Sequence, residues 1–124
     1  MTAILESELE AIGPGNLAVI VPDSLMAQVV DALRASAIEF GQIYERGLDS
    51  RITVVPVGFV KGLELDAAIV VEPARIVSSE KNGLKSLYVA LTRATRRLAV
   101  LYAEPLPLDF GLNQHGVFVS GEYD

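Results

Sequence analysis

The stretch Leu84-Lys85-Ser86-Leu87-Tyr88-Val89-Ala90-Leu91-Thr92-Arg93-Ala94-Thr95-Arg96-Arg97-Leu98-Ala99-Val100-Leu101-Tyr102 changes its hydrophobic period midway. Leu84, Leu87, Tyr88 and Leu91 fall at i, i+3, i+4 and i+7, the spacing of one helical face. Leu98 to Tyr102 is instead a short unbroken apolar run, which predicts a buried strand. A helix therefore runs into a strand, with arginines at the junction.

The same alternation recurs upstream. Residues 2–12 predict a short helix with Ile4, Leu5, Leu9 and Ile12 on its apolar face, ended by Gly13-Pro14-Gly15. On this reading Glu6, Glu8 and Glu10 form its wet side. Leu17 to Val21 is a strand; Pro22 breaks it, and Asp23 or Ser24 can cap the next helix. That helix carries Met26, Val29, Val30, Leu33 and Ala37 on one face and is expected to reach about Glu39, with Gly41 as its stop. Tyr44 to Ser50 is polar and expected as loop. Arg51 to Val55 and Ala67 to Val71 are further strands, limited by Pro56 and Gly58 and by Glu72-Pro73. Residues 74–83 are expected as a polar connection, and Val117 to Val119 as an edge strand or part of a tail. Strands alternating with helices predict a mainly parallel sheet with helices on its faces, and such sheets bind ligands at the carboxyl ends of their strands.

The chain of 124 residues is read as one domain, 1–124, with 1–13 and 105–124 as peripheral segments. A hydrophobic content of 51% and a mean hydropathy of +0.39 suit strands buried on both faces. No apolar run approaches the roughly 20 residues that span a bilayer, so no membrane role is expected. The start of the chain lacks a basic signal-peptide region, and there are no cysteines; both fit a cytoplasmic protein. The net charge of -6 argues against a broad, non-specific nucleic-acid binder. Its distribution is uneven. Residues 1–50 hold eight acids against Arg34 and Arg46, whereas 74–97 hold Arg75, Lys81, Lys85, Arg93, Arg96 and Arg97 against Glu80 alone. A basic segment of this kind can meet a phosphate or an acidic partner, or be a solvated face.

Two short segments carry candidate chemistry. In Lys61-Gly62-Leu63-Glu64-Leu65-Asp66, Gly62 permits a turn or a close backbone approach. Glu64 can accept from a sugar hydroxyl, and Lys61 can neutralise a phosphate. In Leu91-Thr92-Arg93-Ala94, an arginine at a helix end can present its planar fork to a phosphate. The plainer reading of a helix-end arginine is complementation of the helix dipole, which suits Arg96 and Arg97 better than Arg93. His115 has no partner histidine or cysteine, so no metal site is expected. Ser24, Ser36 and Ser86 lack a nearby base, which disfavours a hydrolase triad.

Taken together, Lys61 to Asp66, the apolar strand after it, and Leu87 to Ala94 resemble motifs V and VI of superfamily 1 helicases of the UvrD/Rep/PcrA type. The form Val55-Pro56-Val57-Gly58-Phe59-Val60-Lys61-Gly62-Leu63-Glu64 is similar to the HelD-like branch, ATPases that act on RNA polymerase. The resemblance is strong over 52–103, weaker over 16–40, and absent from the first and last dozen residues. It implies a RecA-like, P-loop NTPase-type three-layer α/β/α motor domain, the second of two. It also implies that Arg93 reaches the γ-phosphate of ATP held by the N-terminal motor domain of the same chain. Glu64 would then contact the ribose beside Gly62, with Lys61, Tyr88 and Thr92 as nucleic-acid contacts or support for the arginine.

Three departures shape that expectation. Pro56 and Gly58 stand where the family has a threonine and a histidine or glutamine that touch nucleic acid, which favours the polymerase-associated branch over ordinary strand translocation. Val21-Pro22-Asp23 follows the first strand where a second phosphate-contacting arginine is frequent. No G-x-x-x-x-G-K-[ST] loop is present, so ATP and Mg²⁺ would be held by the other motor domain. The chain is expected to be a C-terminal piece of a longer helicase or translocase, inactive on its own, with DNA or RNA polymerase as target. The alternative from another class is a non-catalytic RecA-like interaction module.

Overall fold

Five apolar strands and one two-residue strand line up in parallel. The computed structural model describes residues 2–43, 51–79, 81–104 and 116–120. The strands are β1 (Leu17–Val21), β2 (Gly41–Gln42), β3 (Ile52–Pro56), β4 (Leu65–Val71), β5 (Ala94–Tyr102) and β6 (Gly116–Ser120). They form one sheet in the order β2-β3-β1-β4-β5-β6, and every described pairing is parallel. The 117–119 segment is thus the core of an edge strand. Residues 105–115, including His115, lie outside the described residues, as does the loop expected over 44–50.

Although β1 and β4 read as unbroken apolar runs, their side chains divide by the two-residue period of a strand. Leu17, Val19, Val21, Ala67, Ile69 and Val71 face one layer, whereas Ala18, Ile20, Ala68 and Val70 face the other. The first layer is closed by helix α1 (Thr2–Ile12), through Leu5 and Ile12, and by α2 (Met26–Ala35), through Val29, Val30 and Leu33. The second is closed by α3 (Pro73–Ser79), through Ile76, and by α4 (Gly83–Leu91), through Leu87 and Ala90. The crossover after β3 adds Val57 and Val60 to that side. This is the expected three-layer α/β/α arrangement. Within the described part of the amino-terminal segment, Leu5 and Ile12 are buried in the core.

Three local expectations are corrected. α2 ends at Ala35, well short of Glu39, because Ala37 adopts φ 58°. Ile38 N–H then donates to the Leu33 carbonyl at 3.2 Å and Ala37 N–H to Arg34 at 3.1 Å, the paired bonds of a Schellman end. Gly41, expected as the stop, is already in β2. Neither Asp23 nor Ser24 caps α2 with its side chain; Asp23–Leu25 is a 3-10 turn instead. The polar connection over 74–83 contains a helix, α3, which Pro73 starts with its fixed φ rather than merely ending β4.

α3 and α4 meet at Gly83, which is buried. A Cβ there would stand 2.1 Å from the Val77 carbonyl oxygen, a backbone atom that cannot swing aside. Helix propensity alone would favour alanine at this position. The contact reverses that sign: Gly83→Ala is expected to lower stability by about 2–3 kcal/mol in urea unfolding. An unchanged or raised midpoint would refute the packing account.

Candidate functional site

A parallel sheet sets where the two candidate segments sit. After β3 the chain is at the carboxyl end and must return to the amino end before β4 can begin. It does so in residues 57–64, through a 3-10 turn (Val57–Phe59) and a loop. α4 makes the same return before β5. The crossover and α4 therefore run side by side, with Val57, Gly58 and Lys61 facing Asn82, Lys85, Ser86 and Val89.

Both segments end at one rim. The Leu65 amide donates to the Arg93 carbonyl at 3.1 Å, and Thr95 Oγ1 donates to the Leu65 carbonyl at 3.1 Å. Leu65 pairs with Ala94 in the sheet, so Glu64 and Arg93 precede paired residues on adjacent strands. This rim is at the amino ends of β4 and β5. The carboxyl-end location expected for a parallel sheet is incorrect for Glu64 and Arg93, because a residue just before a strand cannot lie at its carboxyl end.

At this rim the Arg93 guanidinium lies against its own helix. Nε donates to the Val89 carbonyl at 3.0 Å and Nη2 to Thr92 Oγ1 at 3.3 Å. Thr92 Oγ1 in turn lies 2.9 Å from the Tyr88 carbonyl and 3.2 Å from that of Val89. Arg93 thus complements the last turn of α4 and Thr92 steadies it, so the helix-end role expected of Arg96 and Arg97 more than of Arg93 falls, for this helix, to Arg93. Its Nη1 has no partner among the described residues. Tyr88 contributes a carbonyl, while its side chain is 69% exposed. Lys61, Gly62 and Glu64 are exposed, and Gly62 takes φ 86°, a left-handed turn with open space where a Cβ would stand.

The other two arginines of the junction do structural work on a different helix. β5 bulges after Ala94: Leu65 and Ala67 oppose Ala94 and Arg97, leaving one extra residue on β5. Arg96 Nη1 donates to the Ile12 carbonyl at 2.9 Å, at the end of α1. Arg51 reaches the same end, donating to the Leu9 and Gly13 carbonyls. Arg97 forms a fork with Glu8, Nε to Oε1 at 3.1 Å and Nη2 to Oε2 at 3.0 Å. Glu8 is 1% exposed, so the wet face expected for Glu6, Glu8 and Glu10 is wrong at its middle position. No local pattern marks Glu8, because its partner lies 89 residues away.

A second buried acid also escaped the sequence. Glu72 holds φ 48°, and its Oε1 accepts from the amides of Ala103 at 2.8 Å and Glu104 at 3.3 Å. It ties the carboxyl end of β4 to the chain leaving β5. Arg75 pairs with Glu104 nearby at 2.6 Å, across solvent-exposed surface.

The hydrogen bonds that Arg97 donates to Glu8, followed by the Glu8 charge, raise the Arg97 pKa above its ordinary value. A raised arginine pKa contributes stability that is present throughout the neutral range and lost only in strong alkali. The pair is also asymmetric. Arg97→Ala strands a buried carboxylate and is expected to cost about 2–3 kcal/mol, moderated because Arg97 itself is partly solvated. Glu8→Met leaves an arginine that water can reach and is expected to cost less than half as much. Urea unfolding of both variants checks this order, and a larger loss for Glu8→Met would contradict it.

No protein-family model matches this sequence, and no curated protein matches it. Solved structures that share its architecture include the following two. The C-terminal domain of a possible DNA helicase from Lactobacillus plantarum superposes with a TM-score of 0.70 at 22% identity, over 98% of this chain and 76% of that one. The SWI2/SNF2 ATPase core of Sulfolobus solfataricus, solved in complex with double-stranded DNA, gives 0.54 at 17% identity, over 80% of this chain and 24% of that one. The likeness establishes the fold, a RecA-like α/β domain. No described helix is long and apolar enough to cross a membrane.

Proposed function

We propose that this domain is the C-terminal motor half of an ATP-dependent superfamily 1 helicase or translocase. The observation that carries the reading is the stitching of Lys61–Asp66 to Thr92–Thr95 by Leu65 and Thr95, which makes Glu64 and Arg93 neighbours on one rim. Arg93 would present Nη1, which has no partner among the described residues, to the γ-phosphate of ATP held by the upstream motor domain, where charge grows during transfer. Glu64 would accept from the ribose, and the turn at Gly62 would let the backbone approach it. The chain carries no phosphate loop, so Mg²⁺ and the remaining phosphates fall to that partner domain. Closure of the two halves on ATP would then couple hydrolysis to movement.

The finer version of this reading places the protein in the HelD-like branch, with RNA polymerase as target and a cytoplasmic location. It rests on the form of Val55 to Glu64, with Pro56 and Gly58 ahead of Lys61. The competing reading is a non-catalytic interaction module, favoured by the engagement of Arg93 with its own helix end.

Arg93→Ala in the full-length protein separates the two. The motor reading predicts a fall in turnover of about 10³-fold or more with ATP affinity changed far less, since a charge-stabilising arginine acts in the transition state. Unchanged turnover would leave Arg93 a helix cap. Arg93-dependent hydrolysis by this chain alone would equally contradict the proposal.

A further inference from the structure

β4 breaks the two-residue period of a strand at its very start. Leu65 packs in the layer of α3 and α4, whereas Ala67, two residues on, packs in the layer of α1 and α2. From Ala67 onward the alternation is regular, with Ala68 and Val70 on the α4 side and Ile69 and Val71 on the other. The chain therefore twists at Asp66, opposite the bulge that inserts a residue into β5. This irregular step separates Leu65, and Glu64 before it, from the regular ladder, so the start of the strand needs an anchor of its own.

Asp66 supplies that anchor. Its Oδ2 accepts from the Asn16 amide at 2.9 Å, across 50 positions of sequence. The Asn16 carbonyl accepts from the Ala67 amide at 3.1 Å, so one loop residue is bonded to Asp66 and Ala67 together. Gly15 packs directly on the carboxylate: a Cβ there would stand 2.7 Å from Oδ2 and 3.2 Å from Cγ. The loop is itself held. Arg51 donates to the Leu9 and Gly13 carbonyls, Arg96 to that of Ile12, and the Leu17 amide to the Arg51 carbonyl. Asp66 thus grips a fixed partner, through a carboxylate–amide bond of the stronger, charge-assisted kind. It lies next to Leu65, which bonds Arg93 and Thr95, and two residues from Glu64.

We propose that Asp66 is a positioning residue for the rim. By holding the start of β4 to the Gly15–Asn16 loop, it sets where Glu64 stands, and so how well Glu64 meets the ribose of the nucleotide. The ribose half rests on the motor reading; the positioning half does not. Arg93 is held separately, by its own helix through Val89 and Thr92, so Asp66 acts on nucleotide binding more than on turnover.

The test has two arms. In the 124-residue protein, NMR-detected hydrogen exchange of the Leu65 and Asn16 amides should be about tenfold faster in Asp66→Ala. The Ile69 and Val70 amides, in the middle of the same strand, should change far less. Asp66→Asn should behave as wild type, because its amide oxygen can accept the same bond. Gly15→Ala, which forces the carboxylate off Asn16, should reproduce Asp66→Ala. In the full-length protein, Asp66→Ala should raise KM for ATP about fivefold while kcat stays within about twofold. Glu64→Ala/Asp66→Ala should have the same KM as Glu64→Ala alone, since Asp66 acts through Glu64. An unchanged Leu65 amide, a uniform rise along β4, or a fall in kcat with KM unmoved would overturn the proposal. So would an unchanged KM in a protein whose turnover still depends on Arg93. Turnover independent of Arg93 would instead sink the motor reading and the ribose half with it, and the exchange arm alone would then decide the positioning.

Discussion

The amide of Leu65 donates to the carbonyl of Arg93, and the rest of the amino-end rim depends on that bond. It exists because two parallel strands, β4 and β5, must both begin there. Each is reached by a segment that travels back from the carboxyl end over the same face of the sheet. One return is a short crossover without room for a long helix; the other is α4. Their last residues therefore arrive side by side. Glu64 and Arg93, nearly thirty positions apart in the chain, become neighbours through strand pairing rather than through any contact between their side chains.

The same constraint explains why the arginines of the junction part company. The bulge after Ala94 inserts one residue into β5 and turns Arg96 and Arg97 to α1, on the layer opposite α4. There they add polar anchors to a helix whose apolar packing comes from Ile4, Leu5, Leu9 and Ile12. Arg96 and Arg51 meet the carbonyls at its C-terminus, and Arg97 neutralises the buried Glu8. Arg93 stays on the α4 side, fixed through Thr92 and the Val89 carbonyl with part of its fork uncommitted. A capping role and a phosphate role are compatible here, since the cap holds the guanidinium at the rim.

Most of the sheet was legible because burial on both faces imposes continuous apolar runs, and these are hard to mistake. Helix α4 and strand β5 were equally clear from the change of period at the junction. What was hidden depends on long-range partners. Glu8 reads as one of three alternating acids until Arg97 is seen against it. α3 is too short to display a period, and Pro73 signals an end as readily as a start. The termination of α2 after Ala35 uses a left-handed alanine, Ala37, which no composition rule anticipates. For the candidate site, the sequence offered Glu64 and Arg93 as candidates, but the end of the sheet at which they meet was not legible. The general preference of parallel sheets for carboxyl-end sites says nothing about residues that immediately precede a strand.

The central claim is that Arg93 acts on a nucleotide bound outside this chain. Complementation tests it most directly: the proposed upstream motor domain, prepared separately, is mixed with this domain and ATP turnover is followed. The account predicts that the wild-type domain stimulates hydrolysis while Arg93→Ala, which still associates, does not. Equal stimulation by the two would contradict it.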